Sequence, residues 1–222
     1  MAITLSRGNE NKEVATDAQA TQVVQDAPQK VITLKKGANI SLSKEAPGLR
    51  KILVGLGWDV NKYHGNEDFD LDVSAFMLGS DGKVISNAEF IFYGQPEHYT
   101  GAVVYSGDNR TGAGDGDDET LKIDLSKIKP EVQKIAITIS IDQAKSRSQT
   151  FGNVDNSYIR IVNDETNEEV VRYDLTEEYS LENALCAGEL YRYNGEWKFK
   201  AVGAGFTNEL KGFTDMYGVI LG

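Results

Sequence analysis

The chain has 222 residues, of which 40% are hydrophobic, and this is enough to bury one substantial core. Its 34 acidic residues outnumber its 23 basic ones and leave a net charge of −11, which disfavours a nucleic-acid backbone or an anionic lipid surface as a partner. No run is long and apolar enough to predict a transmembrane helix, and residues 1–8 lack a secretory leader, so we expect a cytoplasmic protein without direct membrane insertion. A single cysteine, Cys186, excludes an internal disulfide and a thiolate zinc site, and we expect it to be buried.

Residues 1–29 are predicted to form a flexible extension before one domain at residues 30–222. Residues 9–29 are rich in polar residues, and no face is apolar enough to offset the entropy lost on ordering. Residues 2–8 (Ala-Ile-Thr-Leu-Ser-Arg-Gly) resemble residues 31–37 (Val-Ile-Thr-Leu-Lys-Lys-Gly) almost position for position. Either two β-prone runs are alike by chance, or residues 2–8 duplicate the first strand and can add to a sheet edge of this molecule or a neighbour.

From residue 30 onward the sequence predicts an all-β domain. The predicted strands cover residues 31–35, 52–58, 71–78, 89–93, 102–105, 120–125, 134–141, 158–162, 169–175, 189–193 and 197–202. Their spacing is typical of a β-sandwich of two antiparallel sheets. The isoleucines at 135, 137, 139 and 141 alternate with smaller residues and predict a strand with one buried face. Short peripheral helices are predicted at residues 125–132 and 207–216.

A first acidic cluster, the acidic row, occupies residues 68–74 (Asp-Phe-Asp-Leu-Asp-Val-Ser). Alternate residues of an extended chain point to the same side, so Asp68, Asp70, Asp72 and Ser74 are expected to line one face. The apolar residues between them are expected to face a core. A strand in contact with solvent alone has no need of consecutive like charges on one side, so the row favours a metal site.

A second acidic cluster, the acidic loop, spans residues 107–119 (Gly-Asp-Asn-Arg-Thr-Gly-Ala-Gly-Asp-Gly-Asp-Asp-Glu). Its carboxylates are hard oxygen ligands, and its glycines let backbone carbonyls join them, which favours calcium. Carboxylates about 4 Å apart repel by roughly 4 kcal/mol at an effective dielectric of 20, so their convergence needs a cation or a proton. The loop is not an EF-hand, because Arg110 and Gly112 stand where oxygen side chains should be. On composition alone a solvated hairpin loop stays possible.

Several ordered motifs are found at residues 36–44 (Lys-Gly-Ala-Asn-Ile-Ser-Leu-Ser-Lys), 54–59 (Val-Gly-Leu-Gly-Trp-Asp), 70–76 (Asp-Leu-Asp-Val-Ser-Ala-Phe), 107–112 (Gly-Asp-Asn-Arg-Thr-Gly), 188–192, 197–199 and 201–203. Together they resemble the TerD family of tellurite-resistance and general stress proteins. The resemblance covers residue 31 to the C-terminus. It implies a β-sandwich that binds calcium through acidic loops. It also implies a cytoplasmic protein whose partners are a TerC-type integral membrane protein and other stress-resistance proteins. Residues 1–29 depart from the family pattern.

Carried onto this sequence, the resemblance implies a composite calcium site. The candidate ligands are Asp59, Asp70, Asp72, Ser74, Asp108, Asn109, Gly112, Asp115, Gly116, Asp117, Asp118 and Glu119. So many oxygens exceed the 6 to 8 ligands of one calcium ion, so two neighbouring ions are expected. Asn109 either ligates through its amide oxygen or caps the turn. Arg110 either neutralises surplus carboxylate or presents its guanidinium to an anion.

The sequence argues against an enzyme. His64 and His98 lie in no zinc-hydrolase spacing and are predicted to be surface residues, and no nucleophile elbow or phosphate loop is found. One cysteine cannot cycle through a disulfide, which argues against a tellurite reductase. Two functions stay open. One is a calcium-dependent binding or scaffold module. The other is a calcium-assisted binder of a small anion such as a nucleotide or phosphate, with Arg110 as the anion contact.

Overall fold

The computed structural model describes residues 31–62, 67–107, 109–175 and 179–220, which form a β-sandwich of two six-stranded sheets. The first sheet contains, in spatial order, β1 (Ile32–Thr33), β10 (Glu168–Asp174), β9 (Tyr158–Asn163), β3 (Lys51–Gly57), β7 (Glu119–Asp124) and β6 (Val103–Ser106). The second contains β2 (Asn39–Ser41), β12 (Glu196–Phe206), β11 (Ala184–Tyr193), β8 (Lys134–Ile141), β4 (Leu71–Leu78) and β5 (Phe90–Ile91). The predicted β-sandwich is confirmed. The predicted flexible extension at residues 1–29 lies outside the described residues.

Strand pairing is antiparallel throughout these two sheets, with one exception. β1 runs parallel to β10, with Ile32 opposite Val171. β11 and β12 form a long hairpin whose turn, Asn194–Gly195, has positive φ at both residues. This is the turn chemistry that matches the twist of a two-residue hairpin.

Within the described ranges the α-helices are short: α1 (Leu42–Glu45), α2 (Ala144–Arg147) and α3 (Glu209–Tyr217). α3 confirms the helix predicted at residues 207–216. The helix predicted at residues 125–132 is wrong, because this segment forms turns. Pro130 lacks a backbone N–H and disfavours a helical residue before it, while Ile128 and Val132 are buried directly from the turns.

The main core lies between the two sheets. Leu71, Val73, Ala75 and Met77 of β4 belong to it, as the alternation in the acidic row predicted. The four isoleucines of β8 belong to the same core. Burial of these side chains is the largest favourable term for a sandwich of this kind.

A second core covers the outer face of the second sheet. It joins Phe76 of β4, Ala136 of β8 and Cys186 of β11 to Phe213 and Tyr217 of α3. The prediction that the isoleucine strand has one buried face is therefore wrong, because residues 135–141 of β8 are buried on both sides. Packing of α3 against that sheet, which no periodicity in β8 could indicate, accounts for the difference.

Candidate metal site

The acidic loop and the acidic row meet at one end of the sandwich. β3 and β7 are neighbours with Leu56 opposite Glu119, so the residues after β3 lie beside those that precede β7. β4 begins at the same end, because the backbone N–H of Val73 donates to Oε2 of Glu119 across the two sheets at 2.6 Å. Segments that are distant in sequence therefore converge where the carboxylates are concentrated.

Trp58 joins the two acidic clusters. Its backbone N–H donates to Oδ2 of Asp118 at 2.9 Å, and its indole N–H donates to the carbonyl of Phe69 at 3.1 Å. Trp58 is 4% exposed, so water competes little for these bonds. Gly112, at a φ of +70°, packs so closely on the indole that any side chain there would overlap it. The indole thus positions the loop on one side and the row on the other.

Asn109 organises the acidic loop from within. Its Oδ1 accepts hydrogen bonds from the backbone N–H groups of Thr111 and Gly112, both at 3.1 Å. Its Nδ2 donates to the carbonyl of Ala113 at 3.0 Å and to Oδ1 of Asp118 at 2.6 Å. Of the two roles expected for Asn109, this geometry is the turn-capping one.

The surroundings of Asp118 disfavour the charged form of its carboxyl. Burial raises the pKa of its carboxyl above the usual value, the N–H of Trp58 opposes that rise, and the neighbouring Asp117 and Asp59 add to it. A raised pKa in an acid means that its charged form is destabilised by its surroundings. A cation close to Asp118 would stabilise that form and compete with the proton.

Asp117 is already neutralised by the protein. Arg160 of β9 donates to both of its oxygens, with Nε–Oδ1 at 2.8 Å and Nη2–Oδ2 at 3.0 Å, a bidentate pair. The hydroxyl of Tyr158 donates to Asp117 at 3.1 Å, and this carboxylate together with burial raises the pKa of Tyr158 to about 12. Asp117 and Tyr158 lie directly on the backbone of β3, where side chains at Gly55 and Gly57 would overlap them. A calcium ion at Asp117 would have to share it with Arg160.

Glu119 lies inside the sandwich. It is fully buried, its Oε2 accepts the N–H of Val73, and its Oε1 accepts the hydroxyl of Tyr105. These bonds connect β4 of one sheet with β7 and β6 of the other. This geometry fits a structural role in which Glu119 links the two sheets. Calcium binding, which the sequence predicted for Glu119, would be a second role of the same carboxylate.

The acidic row supplies buried oxygens on the outer face of β4. Asp70 and Asp72 are each 7% exposed, and Ser74 is fully buried. Arg110 approaches Asp70, with Nε and Oδ2 3.6 Å apart, which is the neutralising role expected for it. Among the described residues the hydroxyl of Ser74 has no hydrogen-bond partner. A buried hydroxyl of this kind is an oxygen that a cation or a water molecule would satisfy.

Asp59 lies at the edge of the cluster. Its Oδ2 accepts hydrogen bonds from Nζ of Lys62 at 2.8 Å and Nδ2 of Asn156 at 2.9 Å. The bonds from Lys62 and then Asn156 hold the pKa of this carboxyl below its usual value. Like Asp117, Asp59 is therefore compensated by the protein itself and has little need of a metal.

The remaining predicted ligands lie in the outer part of the acidic loop. Asp115 is exposed, and the carbonyl of Gly116 accepts a hydrogen bond from the hydroxyl of Tyr158 at 2.9 Å. Asp108 lies outside the described residues. The prediction that it ligates calcium therefore stays a prediction.

The donor chemistry of this region fits calcium, although its side chains do not by themselves close a cage. The atoms available are carboxylate, hydroxyl and carbonyl oxygens, which are the ligands that calcium prefers. Across residues 31–62, 67–107, 109–175 and 179–220, no three His, Cys, Asp or Glu side chains gather as a metal site. Backbone carbonyls, Ser74 and Asp108 would have to complete the coordination.

Sequence reasoning missed several residues that shape this region. The sequence patterns predicted no role in this site for Trp58, Tyr105, Tyr158 or Arg160. Arg160 is 43 residues from Asp117 in sequence, so no local pattern could pair them. The one available signal was the Gly55-x-Gly57 spacing, because alternate glycines in a strand indicate the close approach of another group.

Two further side chains that could take part in chemistry, His98 and Cys186, are buried. His98 is 2% exposed, with its Nε2 3.2 Å from Oε2 of Glu89, so the prediction of a surface histidine is wrong for it. Its burial follows from the enclosed position of Glu89 and from a hydrogen bond to Thr100. His64 lies outside the described residues. Cys186 is buried as predicted, and burial raises the pKa of its thiol to about 12.

None of the helices in the described ranges has both the length and the apolar character needed to cross a lipid bilayer.

Comparison with known proteins identifies close relatives. The TerD domain matches residues 31–217. General stress protein 16U of Bacillus subtilis (strain 168) is 54% identical over 191 residues, which cover 86% of this chain and 99% of the relative. Tellurium resistance protein TerD of Serratia marcescens is 52% identical over 188 residues, with 85% and 97% covered. Chemical-damaging agent resistance protein B of Clostridium acetobutylicum is 45% identical over 136 residues, with 61% and 98% covered.

Solved structures show the same fold. A crystal structure of a homologue of telluride resistance protein (TerD) from Streptomyces coelicolor A3(2) superposes with a TM-score of 0.61. The superposition covers 78% of this chain and all of that one, at 20% sequence identity.

Proposed function

The chain belongs to the TerD domain family, and from that premise we propose that it is a calcium-binding stress-response protein that acts as a binding or scaffold module rather than as a catalyst. Its relatives are named for tellurium resistance, chemical damage and general stress, so resistance to such damage is the proposed setting. Calcium is proposed as the resident ion, in one or two sites at the acidic end of the sandwich.

The observation that carries the calcium proposal is the double hydrogen bonding of Trp58. One buried residue holds Asp118 of the acidic loop and the backbone next to Asp70 of the acidic row. Like-charged segments repel, so a fold that binds both of them to one residue needs positive charge among them. Arg160 supplies it at Asp117, and Arg110 supplies it in part at Asp70. Calcium at Asp118, Asp70 and their neighbours would supply the rest.

The placement of the carboxylates supports a binding module over a catalyst. Glu119 spans the two sheets, and Asp117 is held by Arg160. Carboxyls that act in acid–base catalysis must reach a substrate, whereas these groups are hydrogen-bonded to the protein itself. The buried thiol of Cys186, with its raised pKa, is likewise unsuited to reducing tellurite. The ion would then fix the shape of the acidic loop for a partner.

A second function, calcium-assisted anion binding, is favoured by one observation. Arg110 is 72% exposed at its side chain, and it approaches the same Asp70 that calcium would use. A calcium ion on Asp70 would displace the guanidinium toward solvent, where its planar donors suit a phosphate or carboxylate. Arg110→Ala should then leave calcium binding intact and abolish the binding of a nucleotide or phosphate.

A calcium titration with thermal melting tests the main proposal. Metal is first removed from the protein with a chelator. The melting temperature is then measured at increasing calcium concentrations, with magnesium as the control ion. An ion that binds only the folded state at 100 times its Kd stabilises it by about 2.7 kcal/mol, which raises the Tm by roughly 5–10 °C in a domain of this size. Asp70→Asn should remove most of this rise. Asp81→Asn, which changes the same charge in an exposed turn, should preserve it.

The calcium proposal fails if the melting temperature does not change up to millimolar calcium. It also fails if the melting temperature of Asp70→Asn rises with calcium as much as that of the control Asp81→Asn and of the unaltered chain.

The proposed partners are other stress-resistance proteins, including a TerC-type membrane protein, with the chain at the cytoplasmic side. Copurification from cells with and without chelator tests this, since a calcium-shaped surface should lose its partner when the ion is removed. The likeness of residues 2–8 to residues 31–37, which include β1 at the edge of the first sheet, also supports self-association through the N-terminal segment. Deletion of residues 1–29 should then reduce oligomers in light scattering.

A further inference from the structure

A large cavity lies at the edge of the first sheet, next to the acidic cluster, because its lining residue Asn156 donates to Asp59. It has a volume of about 590 Å³ and lies where the parallel strands β1 and β10 end, beside the start of β9. Cavities of roughly 300–1,000 Å³ are the size that holds small organic ligands in proteins. Residues 33–36, 156–157, 172–175 and 179 line it. None of these is among the predicted calcium ligands.

The described residues that line the cavity carry more positive than negative charge, although the chain as a whole is acidic. They include Lys35, Lys36 and Arg172 and one carboxylate, Asp174, in a protein whose net charge is −11. A local reversal of this kind attracts and retains anions.

Arg172 is held in an orientation that suits a phosphate group. Its Nε donates to Oδ1 of Asp174 at 3.0 Å, and its guanidinium lies 3.7 Å above the ring of Tyr158. Its two terminal nitrogens form no hydrogen bond within the part of the chain that the structure describes. A guanidinium fixed along one edge and one face keeps its remaining donors ready for a planar or tetrahedral oxyanion.

The wall of the cavity is built from close packing between the two sheets. The hydroxyls of Tyr173 and Tyr179 are 2.9 Å apart and hydrogen-bonded, and Nζ of Lys36 lies 5.3 Å from the ring of Tyr179. Both hydroxyls lie against Gly203 of β12, whose φ is +59° and where any side chain would overlap them. Ser157 is 1% exposed, and its hydroxyl has no partner among the described residues. The wall therefore contributes hydroxyl groups next to the cations.

We propose that this cavity binds a small organic phosphate, with Lys35 and Arg172 at the phosphate group. A phosphate ion alone would fill only a small part of 590 Å³, so the remaining space accommodates an organic group. The lining residues include none of the proposed calcium ligands, although Asn156 also donates to Asp59, and the site needs no metal. It adds a small-molecule ligand to a family member whose proposed function rests on calcium.

Isothermal titration calorimetry in a calcium-free buffer with EGTA tests this site apart from the calcium site. The probes are AMP, inorganic phosphate and uncharged adenosine. AMP should bind at least about tenfold more tightly than either fragment, because it offers both the dianion and the organic group. Binding of AMP no tighter than that of inorganic phosphate overturns the organic-phosphate assignment, and binding no tighter than that of adenosine overturns the role of the cations.

Two variants and a matched control locate the site. Arg172→Gln should weaken AMP binding by about tenfold, since it removes a charge-assisted donor. Lys35→Ala should weaken AMP binding by roughly three- to tenfold. This variant should fold normally, because the side chain of Lys35 is exposed and forms no ion pair within the described residues. Lys122→Ala, a charge lost from a smaller cavity of about 160 Å³ on the same sheet, is the control. Equal AMP affinity in Lys35→Ala and Lys122→Ala would place the ligand elsewhere and overturn the proposal.

Discussion

On the outer face of β4, Asp72 and Ser74 occupy the first half of the strand, whereas Phe76 and Leu78 occupy the second half. The apolar half is closed by protein. Phe76 stacks on Phe90 with ring centroids 4.3 Å apart, and Phe213 and Tyr217 of α3 pack over it. Aromatic contacts of this kind need no ion and persist at any salt concentration.

The polar half is closed less completely. A cavity of about 140 Å³ separates Asp72 from residues 209–211 at the start of α3. Burial, followed by the charges of Asp72, Asp142 and Asp70, raises the pKa of Tyr93 beside it. The two halves of this face therefore differ in what surrounds them, although they belong to one strand. Apolar burial stabilises the second half, whereas the first half has buried carboxylates next to a cavity, where the proposed calcium ion would add positive charge.

The largest expected effect is in the apolar half. Phe213→Ala should lower the free energy of unfolding by about 3–5 kcal/mol, because it removes a fully buried ring and leaves a cavity. Urea denaturation measures this. Met216→Ala on the same helix removes a side chain that is 40% exposed, and it should cost less than about 1 kcal/mol. Equal losses in the two variants would show that α3 does not close a core.

Calcium should distinguish the two halves. Asp72→Asn should lose the calcium-dependent stabilisation of about 2–3 kcal/mol, whereas Phe213→Ala should retain it on a lower baseline. Melting each variant with and without calcium measures both quantities. If Phe213→Ala loses the calcium response while it is still folded, the two halves are one coupled unit.

The bidentate pair at the acidic end should matter more than an exposed pair on α3. Arg160→Met leaves the carboxylate of Asp117 buried without its cation and should destabilise the protein by about 1–3 kcal/mol, allowing for partial exposure of Arg160. Lys211→Met breaks a pair with Asp215 in which both side chains are mostly exposed, and it should cost less than about 0.5 kcal/mol. Chemical denaturation compares the two. Similar losses would mean that Asp117 finds another cation.

The smallest expected effect concerns Cys186, between the apolar half and α3. Burial raises the pKa of its thiol to about 12 from 9.0, so the thiol stays protonated in the folded protein at pH 8. A disulfide exchange reagent should react with it only after unfolding. Because the folded pKa lies above the unfolded one, the thiol's contribution to stability is complete below about pH 9 and declines as the pH rises toward 12. Rapid reaction in the native state at pH 8 would contradict the burial.

Strands with strong alternation were predictable at their full lengths. β4 and β8 begin and end where the sequence indicated, because each has a side facing the main core. β2, with three residues, and the first half of β11, with small residues at 186–188, were not indicated. Their backbones are in strands because neighbours pair with them, and pairing with a distant strand leaves no local pattern.

The candidate site divides in the same way. Composition alone pointed to the acidic row and the acidic loop, because so many carboxylates in short segments demand compensating charge. Which carboxylates already have that charge was decided by tertiary structure. Arg160 compensates Asp117, and Glu119 lies between the sheets rather than at the surface. The sequence determined the kinds of side chain available to an ion. Only the packing of the two sheets, which brings together residues far apart in the chain, decided which of them the protein itself compensates.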